Sequence, residues 1–410
     1  MGNLLDYLYW RGDLPLARDP FNDADNVLCA LLAYMDFRDL VPEDPETVVS
    51  FSETVQALLD RMQGKNIRLG ALMNPLVFDA AREMASCERF SRTKITAYCN
   101  VCREDALDPQ LQVQWAALTF LFEDGTMYIS FSGTDDTLIS WKEDFNMAVY
   151  ATIPSQKEAA EYVRRVMLAH PEYRVYLGGH SKGGNLAIYS AAKCGADLQE
   201  RIVRVYANDA PGFHKSFLSA PDYLAVRDRV LCILPDQSFV GLLLYHDAKR
   251  KVIKSSEKSL RQHDCLTWQV KGGALEAAEG MAGEALILRK TVETWFNQMT
   301  LPERKAFVES IYKAFTSLEA KTLTDLVDGR TLLLRSYRAL PAEERQIIRG
   351  MMKKFFSSGK TVYSAAVQSD KEREKTAVKK KKQTAKNTFV TRMDGASLSL
   401  SAGKKKKNGK

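Results

Sequence analysis

The sequence predicts an α/β fold: a mostly parallel central sheet with helices packed on it, followed by a helical extension and a basic tail. Three observations predict it. From about Ile95 to Val270, apolar runs rich in β-branched and aromatic residues alternate with segments of helical period. Asp124-Gly125 stands between the first two long runs, a hairpin signal that implies an antiparallel edge. The run beginning at Arg174 breaks at Gly178-Gly179 and resumes as a helix-like segment ending near Gly195, the strand–turn–helix unit of a parallel sheet.

Taken in order, the segment from Asn3 to Asp13 is aromatic-rich and ends in a glycine turn. Asn22 and Asp23 can cap a helix through Val27, Leu28, Ala30, Leu31, Leu32 and Met35, apolar nearly all round and therefore expected to be buried. Pro42 and Pro45 break it. Helices over Glu53–Met62 and around Phe78–Phe90 follow, and all three read as packing elements without chemistry. At Ile95 the period changes to two, and Trp115–Phe122 and Met127–Phe131 flank the hairpin. Next come a helix over Ser155–His170, the strand and helix around Ser181, and strands over Ile202–Tyr206 and Arg229–Leu234. Val252-Ile253 and Cys265–Val270 are shorter strand candidates. Past Gly283 the period is helical again, over Glu284–Gln298, Pro302–Leu318, Thr322–Arg338 and Pro341–Phe356. The expected division is a sheet domain over residues 1–285, a helical extension over 286–356 and a disordered lysine-rich tail over 357–410.

Charge separates the last part from the rest. Residues 353–410 hold 17 Lys and Arg against 4 Asp and Glu, a net +13, whereas residues 1–352 hold 41 against 47, a net −6. The lysine blocks at 379–382 and 404–407 suit attraction to an anionic partner, a nucleic acid or a membrane surface, and Phe389 alone in that stretch could stack on a base. No run approaches the roughly 18 apolar residues of a membrane span. The N-terminus lacks the basic and apolar regions of a secretory signal, and no serine or threonine follows Gly2 at the spacing needed for myristoylation. Seven scattered cysteines, an odd number, favour free thiols in a reducing cytoplasm over a disulfide framework. Cys99-Asn-Val-Cys102 has no second pair, so no metal site is expected there.

Gly179-His180-Ser181-Lys182-Gly183 fits G-x-S-x-G where strand turns into helix, the context of a nucleophile elbow. A strand that becomes a helix within one residue crowds the backbone on both sides, so the flanking positions must be glycine. An activated serine needs a base, a group to orient that base, and oxyanion donors. The expected chain order is serine, acid, histidine. Of the histidines after Ser181, His263 lies in a polar loop past the last long strand and is preferred over His246. Asp236, in Pro235-Asp236 after an apolar strand, is the preferred acid, with Asp209 after the preceding strand as the alternative. Ser181, Asp209, Asp236 and the Gly133-Thr134 turn all fall at carboxyl ends of strands, where such sheets gather functional groups.

Tyr128-Ile-Ser-Phe-Ser-Gly-Thr-Asp135 followed by Trp141-Lys-Glu-Asp144 is similar to the class 3 lipase pattern, with Ser132 standing where those lipases carry arginine. The resemblance implies that Thr134 helps form an oxyanion hole, with the Lys182 backbone N–H as second donor. Asn3–Leu8, Trp10–Asp13, Asp19–Asn22, Gly133–Asp136, Trp141–Met147, Gly178–Asn185 and Gln262–Asp264 together resemble the bacterial family called domain of unknown function 2974, over roughly residues 1–285. Asp236 stands where that family often has glutamine. The resemblance implies an α/β-hydrolase fold and a serine hydrolase acting on a carboxylic ester, small-molecule or lipid, without metal or organic cofactor. The competing expectation is an inactive hydrolase fold serving as a binding scaffold through its extension and tail.

Overall fold

The computed structural model describes residues 2–63, 74–104, 108, 111–135, 137–316 and 337–368. Residues 1–355 and 356–410 are two compact units. In the first, helices α1 (Leu4–Arg11) and α2 (Asp23–Leu32) lead to the short strand β1 (Val49–Ser50) and to α3 (Phe51–Met62) and α4 (Val77–Ser86). Both α1 and α2 open on capping boxes: the Asn3 and Asn22 side chains accept from the first-turn amides while Asp6 and Asp25 reach back to the cap amides. Strands β2 (Lys94–Glu104), β3 (Gln112–Leu121) and β4 (Thr126–Phe131) form an antiparallel meander. From β4 the sheet is parallel, through β5 (Arg174–His180), β6 (Ile202–Asn208), β7 (Val230–Pro235) and β8 (Lys249–Ile253). The crossovers carry α5 (Leu138–Asn146) and α6 (Pro154–Ala169), then α7 (Lys182–Lys193) with the one-turn α8 (Ala196–Gln199), then α9 (Lys215–Leu218) and α10 (Pro221–Val226).

The eight strands lie in chain order, β1 to β8. Right-handed crossovers that always step the same way put their helices on one face. Accordingly α6, α7, α9 and α10 bury Val163, Leu186, Phe217 and Tyr223 against Met127, Ile129 and Phe131 of β4 and Leu177 of β5. The opposite face is covered by the N-terminal helices, which pack Leu28, Phe51 and Met84 on Phe120, Tyr128, Tyr206 and Ile233. Alternate residues of one strand therefore serve two cores, which is why β3 and β4 are buried along their whole length.

Several expectations change. Cys265–Val270 is not a strand: Asp264 caps a 3-10 turn over Cys265–Thr267, Trp268 makes an isolated bridge to Ser255, and a strand forms at Val270-Lys271, paired with Ala274-Leu275. Helix α5 carries the Trp141–Asp144 motif yet has no clear apolar period, because its buried residues include Lys142, Glu143 and Asn146. The extension begins with α11 (Gly283–Asn297) and α12 (Leu301–Thr316), and residues 342–355 are helical. Lys142 of α5, though 5% exposed, pairs with Glu309 of α12 at 3.2 Å and lies over the Tyr312 ring. Most of the helix expected over Thr322–Arg338 lies outside the described residues. In the second unit residues 356–368 are helical, so helical order runs past the expected onset of the tail at residue 357, and 369–410 lie outside the described residues. Among the described residues no helix is long and apolar enough to cross a membrane.

Candidate active site

Strand β5 ends at His180 and α7 begins at Lys182, leaving Ser181 alone in the turn with φ 57° and ψ −131°. That left-handed backbone is strained for a residue with a Cβ. Its amide bonds the Asn208 carbonyl of β6 at 2.9 Å, so the turn is held to the neighbouring strand. The glycines around it are required by contact: a Cβ on Gly183 would lie 2.2 Å from the Phe131 carbonyl oxygen, and one on Gly179 2.4 Å from the Gly183 carbonyl carbon. Helix and strands pass here with no room for a methyl group, as an elbow demands.

The β4 turn lies against the same point. A Cβ on Gly133 would meet the Tyr34 hydroxyl at 2.1 Å and the Ser181 Cβ at 2.9 Å. Ser132 closes the strand end: its amide donates to the Ala116 carbonyl at 2.9 Å and its hydroxyl accepts from the Ala116 amide at 3.1 Å. Two residues on, the Thr134 hydroxyl donates to Asp144 Oδ2. Burial raises the Asp144 carboxyl to about 6; Lys182 and the Thr134 hydroxyl oppose the rise, while Glu143 and Asp135 add to it.

The side chain of Lys182 turns into the protein and is 1% exposed. Its ammonium donates to Gln114 Oε1 at 2.7 Å and to Glu143 Oε2 at 3.0 Å. Glu143 is also buried and accepts from the Ser155 hydroxyl and, at 3.0 Å, from the Gln114 amide. Burial alone would lower the lysine's pKa; the charges of Glu143 and Asp144 outweigh it and raise it. Sequence reasoning used only the backbone of Lys182. The missed signal is a lysine in the first turn of a helix, where the macrodipole repels it unless a carboxylate is near.

Across the site, Asp209 follows β6 and His263 ends the 3-10 turn Ser259–His263. Asp209 Oδ2 lies 2.7 Å from His263 Nδ1. Its other oxygen accepts from the Ser238 hydroxyl and, at 3.1 Å, from the Gly241 amide. Burial pushes the Asp209 carboxyl up, but the hydrogen bond and charge of His263, the Ser238 hydroxyl and the charge of His180 outweigh it and hold the carboxyl below its ordinary value. A carboxylate on Nδ1 makes that nitrogen the donor and leaves Nε2 as the basic one.

The structure brings Asp209, the alternative acid, to His263 and not Asp236, the preferred one. Asp236 does not reach His263; its Oδ1 accepts from Gln262 Nε2 at 2.9 Å. The reason is strand order: β6 borders the strand of Ser181, whereas β7 lies one strand further out, towards β8. Asp236 instead braces the residue before the histidine.

His180, inside the elbow, links the two halves of the site. Its Nε2 lies 2.8 Å from the His263 carbonyl and its Nδ1 2.8 Å from the Tyr34 hydroxyl. A carbonyl accepts only, so Nε2 carries the proton and Tyr34 donates to Nδ1. Burial, reinforced by the neighbouring His263, lowers His180 to about 3 and keeps it neutral. The two imidazole rings lie 4.3 Å apart. Among the described residues no hydrogen bond joins the Ser181 hydroxyl to His263; His180, adjacent in the chain to Ser181, is the contact between them. Tyr34 follows α2, and Asn26 within α2 exchanges hydrogen bonds with Asn208 at 2.9 and 3.1 Å, so a helix read as mere packing steadies the site. His246 is elsewhere, with a buried Nε2 lacking a partner, and His170 and His214 bond the Pro45 and Met147 carbonyls.

Among solved structures, lipase II from Rhizopus niveus is similar at 17% identity and a TM-score of 0.29, over 38% of this chain and 66% of the lipase, so the chain spans just under two thirds of it. M37 lipase gives 12% identity and a TM-score of 0.35, over 54% and 70%. The Rhizomucor miehei lipase propeptide complex gives 12% identity and a TM-score of 0.33, over 62% and 81%. A search of curated proteins finds no match. The Mbeg1-like family profile matches residues 84–313, more than half of the sequence and every site residue beyond Tyr34. The chain belongs to the Mbeg1-like family.

Proposed function

We propose that the protein is a serine hydrolase that cleaves a carboxylic ester or related acyl bond through an acyl-enzyme at Ser181. The observation that carries the reading is the buried Asp209–His263 pair beside a serine held at φ 57° in a strand-to-helix turn. Ser181 Oγ attacks the carbonyl carbon while His263 Nε2 takes its proton, and the same imidazolium then protonates the leaving alkoxide. Asp209 keeps the proton of His263 on Nδ1 and stabilises the imidazolium. Water repeats the sequence on the acyl-enzyme. The oxyanion is met by the Lys182 N–H, the first amide of α7, which has no carbonyl a turn earlier to bond. Thr134, whose hydroxyl proton is committed to Asp144, contributes its backbone N–H. No step requires a metal or an organic cofactor.

Labelling with a fluorophosphonate tests the reading. The wild-type chain is expected to label at Ser181, and Ser181→Ala to lose the label while keeping its fold. A folded wild-type chain that does not label would favour a scaffold that retains the fold without the reaction.

A further inference from the structure

Directly beneath the elbow, one ammonium faces two carboxylates that are neighbours in the chain. Lys182 Nζ spends two of its three protons on Gln114 and Glu143, at 2.7 and 3.0 Å. What remains of its field falls on Ser140 Oγ at 3.5 Å and Asp144 Oδ1 at 3.8 Å. Glu143 is saturated by Lys182, Ser155 and the Gln114 amide. Asp144 is not: Oδ2 has the Thr134 hydroxyl, while Oδ1 is buried without a hydrogen bond. The other groups facing Asp144 do not supply positive charge. Asp135 in the preceding turn and Glu143 on its own helix repel it, and Tyr34 after α2 is a neutral phenol. From α12, Glu309 is taken by Lys142. Among the described residues, Lys182 is therefore the cation on which the charge of Asp144 depends.

We propose that Lys182 is a positioning residue for the oxyanion side of the site: its ammonium, shared between Glu143 and Asp144, keeps Asp144 ionised as the acceptor that holds the Thr134 hydroxyl. The lysine does not touch substrate. It occupies the second variable position of the elbow motif, so the helix that presents Ser181 also carries the charge that fixes the opposite wall. Burial already raises Asp144 to about 6, and losing the ammonium would raise it further, towards neutral pH. The proposal rests on the reading of Thr134 as part of an oxyanion site, and its test has a readout that does not.

The experiment is a carbon-13 carboxyl titration of the full chain, with the Asp144 resonance assigned from Asp144→Asn. The wild type is expected to titrate near the value above. Lys182→Met moves the midpoint up by about one pH unit or more, because an opposite charge at this range is lost. Glu143→Gln moves it down, because a like charge is lost and the ammonium is freed for Asp144. If Lys182→Met does not fold, the direction of the Glu143→Gln shift decides alone. Midpoints unmoved by either substitution would overturn the proposal. In parallel, the fluorophosphonate labelling rate of Lys182→Met at neutral pH is expected to fall at least about tenfold, less than the roughly 10²–10³ lost when an oxyanion donor is removed outright. A wild-type chain that titrates as expected but does not label would sink the hydrolase reading and leave the Lys182–Asp144–Thr134 hold standing.

Discussion

Asp209 Oδ2 and His263 Nδ1 lie 2.7 Å apart, joining positions 54 residues distant in the chain. On the proposed serine hydrolase reading, this pair, and not one formed by Asp236, is the one on which the base depends. Asp209→Asn is expected to lower the fluorophosphonate labelling rate by roughly 10²–10⁴, since an amide can hold the imidazole in the wrong tautomer. Asp236→Asn, at a side chain that accepts from Gln262 and does not reach His263, is expected to stay within about threefold of wild type. Equal losses in both would contradict the assignment.

The elbow predicts stability effects of opposite sign. Gly183→Ala drives a methyl group to within contact of the Phe131 carbonyl, a backbone atom that cannot swing away, and should cost roughly 2–4 kcal/mol in urea unfolding. Ser181→Gly removes the Cβ from a left-handed backbone whose strain is about 1–3 kcal/mol, part of which returns as lost chain entropy, and should raise Tm by about 2 °C or more. A Ser181→Gly chain that melts lower would argue against strain at the turn.

Two buried imidazoles set a pH dependence. Burial lowers His180 and His246 each to about 3, reinforced by the charge of His263 in one case and of Arg250 and Arg289 in the other. The unfolded chain takes up protons near 6.5 where the folded chain does not. Stability is therefore complete above that value and falls as pH drops towards 3, by roughly 1.4 kcal/mol per pH unit for each histidine. Asp144 opposes this between 3.8 and about 6, because there the folded state keeps a proton that the unfolded chain has released. Urea midpoints should decline from neutral pH to about 5, and His180→Gln should remove well over half of the decline, because Asp144 already offsets part of it. A flat wild-type profile would rule out the buried neutral imidazoles.

Residues 369–410 carry 14 Lys and Arg against 4 Asp and Glu. If this excess governs contact with polyanions, removing it should shift elution from immobilised heparin to clearly lower salt, since each neutralised anionic group contributes to the salt slope. Unchanged elution would assign whatever binding exists to the acidic body.

The elements that the sequence displayed clearly were those whose side chains obey one period. β4 and β7 are buried throughout, and β5 and β6 over most of their length, because both faces of the sheet are covered, and each lies where its mainly apolar run of residues lies. Helix α5 was invisible because it buries Glu143, Lys142 and Asn146, and a period of hydrophobicity cannot register a polar core. The strand-to-helix turn at Ser181 was legible from its motif. Which carboxylate reaches His263 was not, since Asp209 and Asp236 both follow strands and only the lateral order of β5, β6 and β7 separates them. Tyr34 and Gln114 had no local signature at all: each acquires its role from a partner brought close by the sheet.

The division of labour between the two faces of the sheet also governs synthesis. The crossover helices leave the ribosome between the strands they cover, so each can dock as it appears. Helices α1 to α4 are made before β2, β3 and β4, the strands whose outer residues they pack against. Until those strands arrive, Leu28, Phe51 and Met84 have no sheet to pack on, and the sheet-facing side of these helices stays uncovered through the making of the meander. A chaperone-dependent yield that improves when translation slows after α4 is the expected signature of that order.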